Sequence, residues 1–152
     1  MCIDLAGLKA VNDGLGHAAG DALLQALARR LQAVVREGEL LFRVDGDEFT
    51  VLLPQVAGAA DVAALAQRLV AVLGQPLDLA GGPVQVGASI GIALFPDHAD
   101  DGDLLLRLAD EAKGLAKARG KGMFTVHGEA PAEVVAVQVA APAPRPAEAL
   151  PA

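Results

Sequence analysis

The sequence predicts an α/β fold of the α+β sandwich type, in which a mainly antiparallel central sheet is flanked by helices. Three observations predict it. Apolar residues recur at helical spacing in three segments, an Asp-Gly step separates two short apolar runs, and these patterns follow the order strand, helices, hairpin, helix, strand, helix, strand. Cys2–Leu5 reads as a short strand, and Leu8–Leu15 as a short helical or looping segment closed by the glycine-rich GLGH. From Ala18 to about Arg36 the residues Leu23, Leu24, Leu27, Leu31, Val34 and Val35 form one apolar stripe, which predicts a helix with one buried face. Leu40–Val44 and Phe49–Leu53 are the arms of a hairpin, and Ala59–Leu73 is a second amphipathic helix stopped by Gly74 and Pro76. Val84–Phe95 predicts a strand with a bulge at a glycine, Leu104–Ala118 a third helix, and Met123–Val126 a closing strand. After Gly128 the chain turns to Ala, Pro, Val and Glu and ends APAPRPAEALPA, a composition that cannot bury enough surface to order itself.

Composition narrows the function. The chain has 152 residues, of which 53% are hydrophobic. Much of that fraction is alanine, and with no run of about 18 apolar residues no membrane span is predicted. The start, MCIDLAGLK, lacks the basic residues and apolar stretch of a secretion signal. A single cysteine, Cys2, excludes an intrachain disulfide and suits a reducing cytoplasm. A net charge of −7 argues against nonspecific nucleic-acid binding. Four Phe without Trp or Tyr provide no base-stacking platform. A polyanionic ligand would need a cation beside it.

Residues 43–53 read RVDGDEFTVLL. Asp45-Gly46 by itself is a hairpin signal, because a type I′ turn needs positive φ at both central positions. Asp47 and Glu48 ask for more, since adjacent like charges at a tight turn repel unless a cation or donor sits among them. If the first strand pairs beside the hairpin, Asp4 and Asp47 converge on one cation. Two carboxylates plus a substrate phosphate are a usual Mg²⁺ set. Lys117, Arg119 and Lys121, at the end of the third helix, would then meet phosphate oxygens.

Four blocks carry a family resemblance: D4LAGLKAVNDGLGHAAGD21, R43VDGDEF49, A88SIGIA93 and A109DEAKGLAK117. In order and spacing, over about residues 2–126, they resemble the GGDEF family, the diguanylate cyclases that join two GTP into cyclic di-GMP. Here the signature reads DGDEF. The resemblance implies a palm-like sheet related to the nucleotidyl cyclases. It implies that Asp4 and Asp47, with the Leu5 carbonyl, hold Mg²⁺ (Mn²⁺ as the alternative), and that Glu48 assists deprotonation of the ribose 3′-OH or binds a second metal. Asn12 and Asp21 would read the guanine edge, and Lys9, Lys117 and Lys121 would neutralise the triphosphate. Arg36 and Glu39 stand where the family's Arg-x-x-Asp product-inhibition motif lies. One GTP per domain implies a head-to-head homodimer. The expected organisation is a GGDEF domain at 1–128, without the family's usual preceding helix, and an Ala/Pro-rich flexible tail at 129–152. The expected setting is bacterial cytoplasmic signalling, with an EAL or sensor domain as a further partner. A second reading from another class is a catalytically impaired module that binds GTP or cyclic di-GMP and regulates a partner such as an EAL phosphodiesterase domain.

Overall fold

The computed structural model describes residues 1–133. Its elements, in chain order, are β1 (Cys2–Ala6), α1 (Leu8–Leu15), α2 (His17–Val34), β2 (Leu40–Asp45), β3 (Glu48–Leu52), α3 (Ala59–Leu73), β4 (Leu77–Leu79), β5 (Gly82–Val84), β6 (Gly87–Ile92), α4 (Gly102–Arg119), β7 (Met123–Val126) and β8 (Ala132–Glu133). Six strands form one sheet in the order β2-β3-β1-β6-β7-β8, and β4 and β5 form a separate two-stranded ribbon. Every neighbouring pair in the large sheet is antiparallel except β6 and β7. That single parallel pair follows from the crossover helix α4, which carries the chain back over the sheet between them.

The period of two along each strand decides which helices cover which face. Ile3 and Leu5 of β1, Phe49 and Val51 of β3, Ile90 of β6 and Phe124 of β7 share a buried cluster with Leu23, Leu27 and Leu31 of α2 and Leu65, Leu69 and Leu73 of α3. Full burial of each such leucine contributes roughly 1.5–3 kcal/mol. The alternate residues Asp4, Ser89 and Thr125 face α4 instead. This second layer packs closely because Gly91 has no side chain: a Cβ there would overlap the Ala109 carbonyl and the Lys113 backbone nitrogen. Helix α4 starts on Asp101, whose carboxylate accepts the Asp103 N–H at 3.2 Å, and ends with Lys117 and Arg119 in its last turn. Both ends therefore suit the helix dipole.

Helix α4 covers β1, β6 and β7, and it leaves the β2–β3 half of the sheet open. Phe42, Val44 and Leu52 there face Leu106 and Phe95 across an apolar groove of about 920 Å³.

Three expectations need correction. The segment expected as one strand over 84–95 is divided, since Val84 closes the β4–β5 ribbon and β6 begins at Gly87. Gly82, with φ of 118°, makes that extra reversal available. The hairpin tip is not a type I′ turn: β2 runs through Asp45, the loop is Gly46-Asp47, and neither residue has positive φ. A register shift between Arg43 and Asp45 supplies the added twist that the turn itself lacks. Finally, Ala132 and Glu133, at the start of the expected tail, pair with β7. The rest of that tail, from 134 on, lies outside the described residues.

Helix α3 is joined to the α2–β2 turn by charge. Glu39 accepts from the Arg36 backbone N–H at 2.8 Å and from Arg36 Nε at 2.6 Å, while the far end of the guanidinium reaches the Asp61 carboxylate at 3.4–3.5 Å. Asp61 also accepts the Ala57 N–H at 3.3 Å, just ahead of its own helix. That backbone hydrogen bond first, and Arg36 second, hold the Asp61 carboxyl below its ordinary 3.8.

Two outcomes follow from this packing. Gly91→Ala drives a methyl group into the α4 backbone and lowers stability by about 2 kcal/mol, read as a shift in urea midpoint at constant slope. Because the folded pKa of Asp61 is depressed, its contribution is present above pH 3.8 and is lost as the pH falls through the lower folded value. The midpoint difference between the protein and Asp61→Asn therefore narrows as the pH is taken below 3.8.

Candidate active site

The site is built by strand register. Asp4 on β1 lies opposite Glu48 on β3 and opposite Ser89 on β6, so three polar side chains form one rung across three strands on the face under α4. At the hairpin tip the Leu5 N–H donates to the Asp47 carbonyl at 2.9 Å, which seats Asp47 beside the end of β1. The condition set by the sequence, that the first strand pair beside the hairpin, is met.

Two lysines one helical turn apart lie over the rung, as the i,i+4 spacing dictates. Lys117 Nζ is 2.7 Å from Asp4 Oδ2. Lys113 Nζ is 3.0 Å from Glu48 Oε1 and 2.8 Å from Asp110 Oδ1. The Asp4 side chain is only 8% exposed, so its charge needs a partner; Lys117, 65% exposed, reaches it from solvent. The hydrogen bond and charge of Asp4 raise the Lys117 pKa, and Asp47 adds to the rise. For Lys113, burial lowers the pKa, but hydrogen bonds and charge from Asp110 and Glu48 outweigh it and the net shift is upward. Both are ammonium ions at neutral pH.

A divalent cation fits these residues. The Asp4 carboxylate already holds one positive charge, that of Lys117 at 2.7 Å, and Asp47 adds to the attraction. No group of three or more His, Cys, Asp or Glu forms a metal cage among the described residues. Asp4, Asp47 and the Leu5 carbonyl would leave positions for water and phosphate oxygens, which is how Mg²⁺ is usually held.

Of the other residues singled out by the sequence, Lys9 and Asn12 lie on α1, which follows β1 directly. Asn12, half-buried on α1, packs on Gly20 of α2, where any Cβ would overlap its amide. Asp21 follows Gly20 at an exposed position on α2. Lys9 is exposed in the first turn of α1. Lys121 lies beyond α4 with its stem against Gly87, which pairs with Ala6. Arg36 and Glu39 are bonded to each other and stand apart from the rung. Asp45 spends its carboxylate on the turn, accepting the Gly46 N–H at 2.8 Å, while Arg43 Nε donates to the Gly46 carbonyl at 3.1 Å. None of the predicted site residues lines the large apolar groove.

Sequence reasoning passed over Lys113, Asp110, Ser89 and Asp61. The spacing of Lys113 and Lys117 was visible, but only the β1–β3 register reveals the Glu48 carboxylate beneath Lys113.

Comparison with known proteins agrees with this geometry. The family described as "Diguanylate cyclase, GGDEF domain" matches residues 1–123. Diguanylate cyclase TpbB of Pseudomonas aeruginosa is 43% identical over 123 residues, covering 80% of this chain and 28% of TpbB. Cyclic di-GMP phosphodiesterase PdeR of Escherichia coli is 36% identical over 124 residues, covering 82% of this chain and 19% of PdeR. The crystal structure of the TpbB GGDEF domain superposes with a TM-score of 0.80 at 40% identity, covering 84% of this chain and 80% of that one. The chain thus spans under a third of the length of these two curated relatives. With the palm-like sheet, the acidic hairpin tip beside β1 and a family match over residues 1–123, this chain belongs to the GGDEF family of diguanylate cyclase domains.

Proposed function

We propose that the domain binds GTP with Mg²⁺ and, as a head-to-head homodimer, condenses two GTP into cyclic di-GMP. The observation that carries this reading is the Glu48–Asp4 rung beside Asp47, with Lys117 already lying on Asp4 as a removable positive charge. The metal, held by Asp4, Asp47 and the Leu5 carbonyl with Mn²⁺ as the alternative, supplies Lewis-acid stabilisation of phosphate oxygens. The chain's own groups do the rest. Asn12 and Asp21 fix the guanine, because a carboxylate facing two N–H donors rejects adenine. Lys9, Lys117 and Lys121 take the charge of the triphosphate. Glu48 lies where it can accept the proton of the attacking 3′-OH, while the dimer brings that hydroxyl in line with the α-phosphate of the other GTP. Feedback by product would pass through Arg36 and Glu39, whose mutual ion pair must open first.

A second reading has its own support. A stretch 36% identical to this chain lies within PdeR, which is named for phosphodiesterase activity. A module of that kind would bind GTP or cyclic di-GMP without turnover and regulate an EAL partner. Incubating the full chain with GTP and Mg²⁺ and separating the products by chromatography discriminates the two. Cyclic di-GMP as product supports the cyclase; nucleotide binding without product supports the regulatory module.

Asp47→Asn weakens metal-dependent GTP binding by roughly 1.5–3 kcal/mol, the range for a contact to a charged group. Calorimetry with unchanged affinity in that variant removes Asp47 from the metal site. Asp21→Ala loses discrimination against ATP by roughly 1–3 kcal/mol, the cost of an unmet polar contact. Equal affinity of the unaltered protein for ATP and GTP contradicts the assignment of Asn12 and Asp21.

A further inference from the structure

The two lysines over the carboxylate rung are not equivalent. The Lys117 side chain is 65% exposed and that of Lys113 only 9%. Lys117 can swing to a phosphate by rotating its own stem. Lys113 emerges from the point where α4 lies directly on the backbone of Gly91, so the helix cannot move it away from the sheet. Its ammonium is gripped from both sides, by Glu48 at 3.0 Å and Asp110 at 2.8 Å. Leaving would cost this nearly buried ammonium both of its carboxylate partners at once.

Resting on the nucleotide-binding reading above, we propose that Lys113 is a positioning residue that clamps Glu48 from the helix side and stands in for a second divalent cation, so that the domain takes up a single metal ion with its nucleotide. The placement of the charges supports this. Once Lys117 has turned to the phosphates, Asp4 and Asp47 present two negative charges, which one divalent cation neutralises. Glu48 already has a cation of its own in Lys113, which it shares with Asp110. A second divalent cation on Glu48 would share its carboxylate with a fixed ammonium, and two cations on one carboxylate repel. The clamp also holds the Glu48 carboxylate at its place in the rung without a metal, ready to receive a proton.

The test counts protein-bound Mn²⁺ by electron paramagnetic resonance, using the full chain saturated with a non-hydrolysable GTP analogue. The expected result is a single Mn²⁺ per bound nucleotide in the unaltered protein and in Lys113→Arg, and a second in Lys113→Met that disappears in Lys113→Met with Glu48→Gln. A melting curve establishes that each variant is folded. A second Mn²⁺ in the unaltered protein overturns the inference and leaves the GTP-binding reading standing. A folded Lys113→Met that still takes only one overturns it as well. Should Lys113→Met not fold, the count in the unaltered protein decides alone. No nucleotide-dependent Mn²⁺ in any form overturns the GTP-binding reading and this inference with it.

Discussion

The site depends on the meeting of helix α4 with the carboxylates at the ends of β1 and β3. Asp4 is buried in the middle of a six-stranded sheet, where an isolated carboxylate would be costly. Lys117 makes it tolerable, and one strand away Glu48, with Asp110, does the same for the buried Lys113 ammonium. Both lysines reach the sheet only because Gly91 lets α4 sit directly on β6. A packing feature of the core thus sets the electrostatics of the site, and the α4 lysines tie the elements that carry the acids together.

Under the proposed function, the same arrangement lets an acidic protein take a polyanionic ligand. The net charge is −7, and the hairpin tip adds to the local negative potential. Lys117, already paired with Asp4, would offer little to a phosphate until a divalent cation takes its place on that carboxylate. Metal and nucleotide would then be coupled, since each makes room for the other. Asp45 supports the turn, its carboxylate accepting the Gly46 N–H at 2.8 Å.

Much of this was legible in the sequence because it rests on local patterns. The stripe of Leu23, Leu24, Leu27 and Leu31 marked α2, and the apolar runs on either side of the acidic tip marked the hairpin. The four blocks around Asp4, Asp47, Ser89 and Lys117 identified the family. What the sequence hid depends on register or on residues far apart. Lys113 reads as one more surface lysine until β1 and β3 are aligned and Glu48 falls beneath it. Arg36 and Glu39 read as a ligand site, and only the approach of Asp61 from α3 shows that they also tie two elements together. The β4–β5 ribbon was missed because its strands are three residues each, too short for a periodic signal. The hairpin turn was misassigned because a shift at Val44, invisible in the Asp-Gly signal, supplies the twist.

The central claim is that Lys117 holds the place of a metal ion on Asp4 and yields it when nucleotide arrives. A crystal structure of the full chain with Mg²⁺ and a non-hydrolysable GTP analogue tests it most directly. The account predicts Lys117 Nζ withdrawn from Asp4 onto a phosphate oxygen, metal density between Asp4 and Asp47, and the guanine against Asn12 and Asp21. Nucleotide seated elsewhere, with Lys117 still bonded to Asp4, would contradict it.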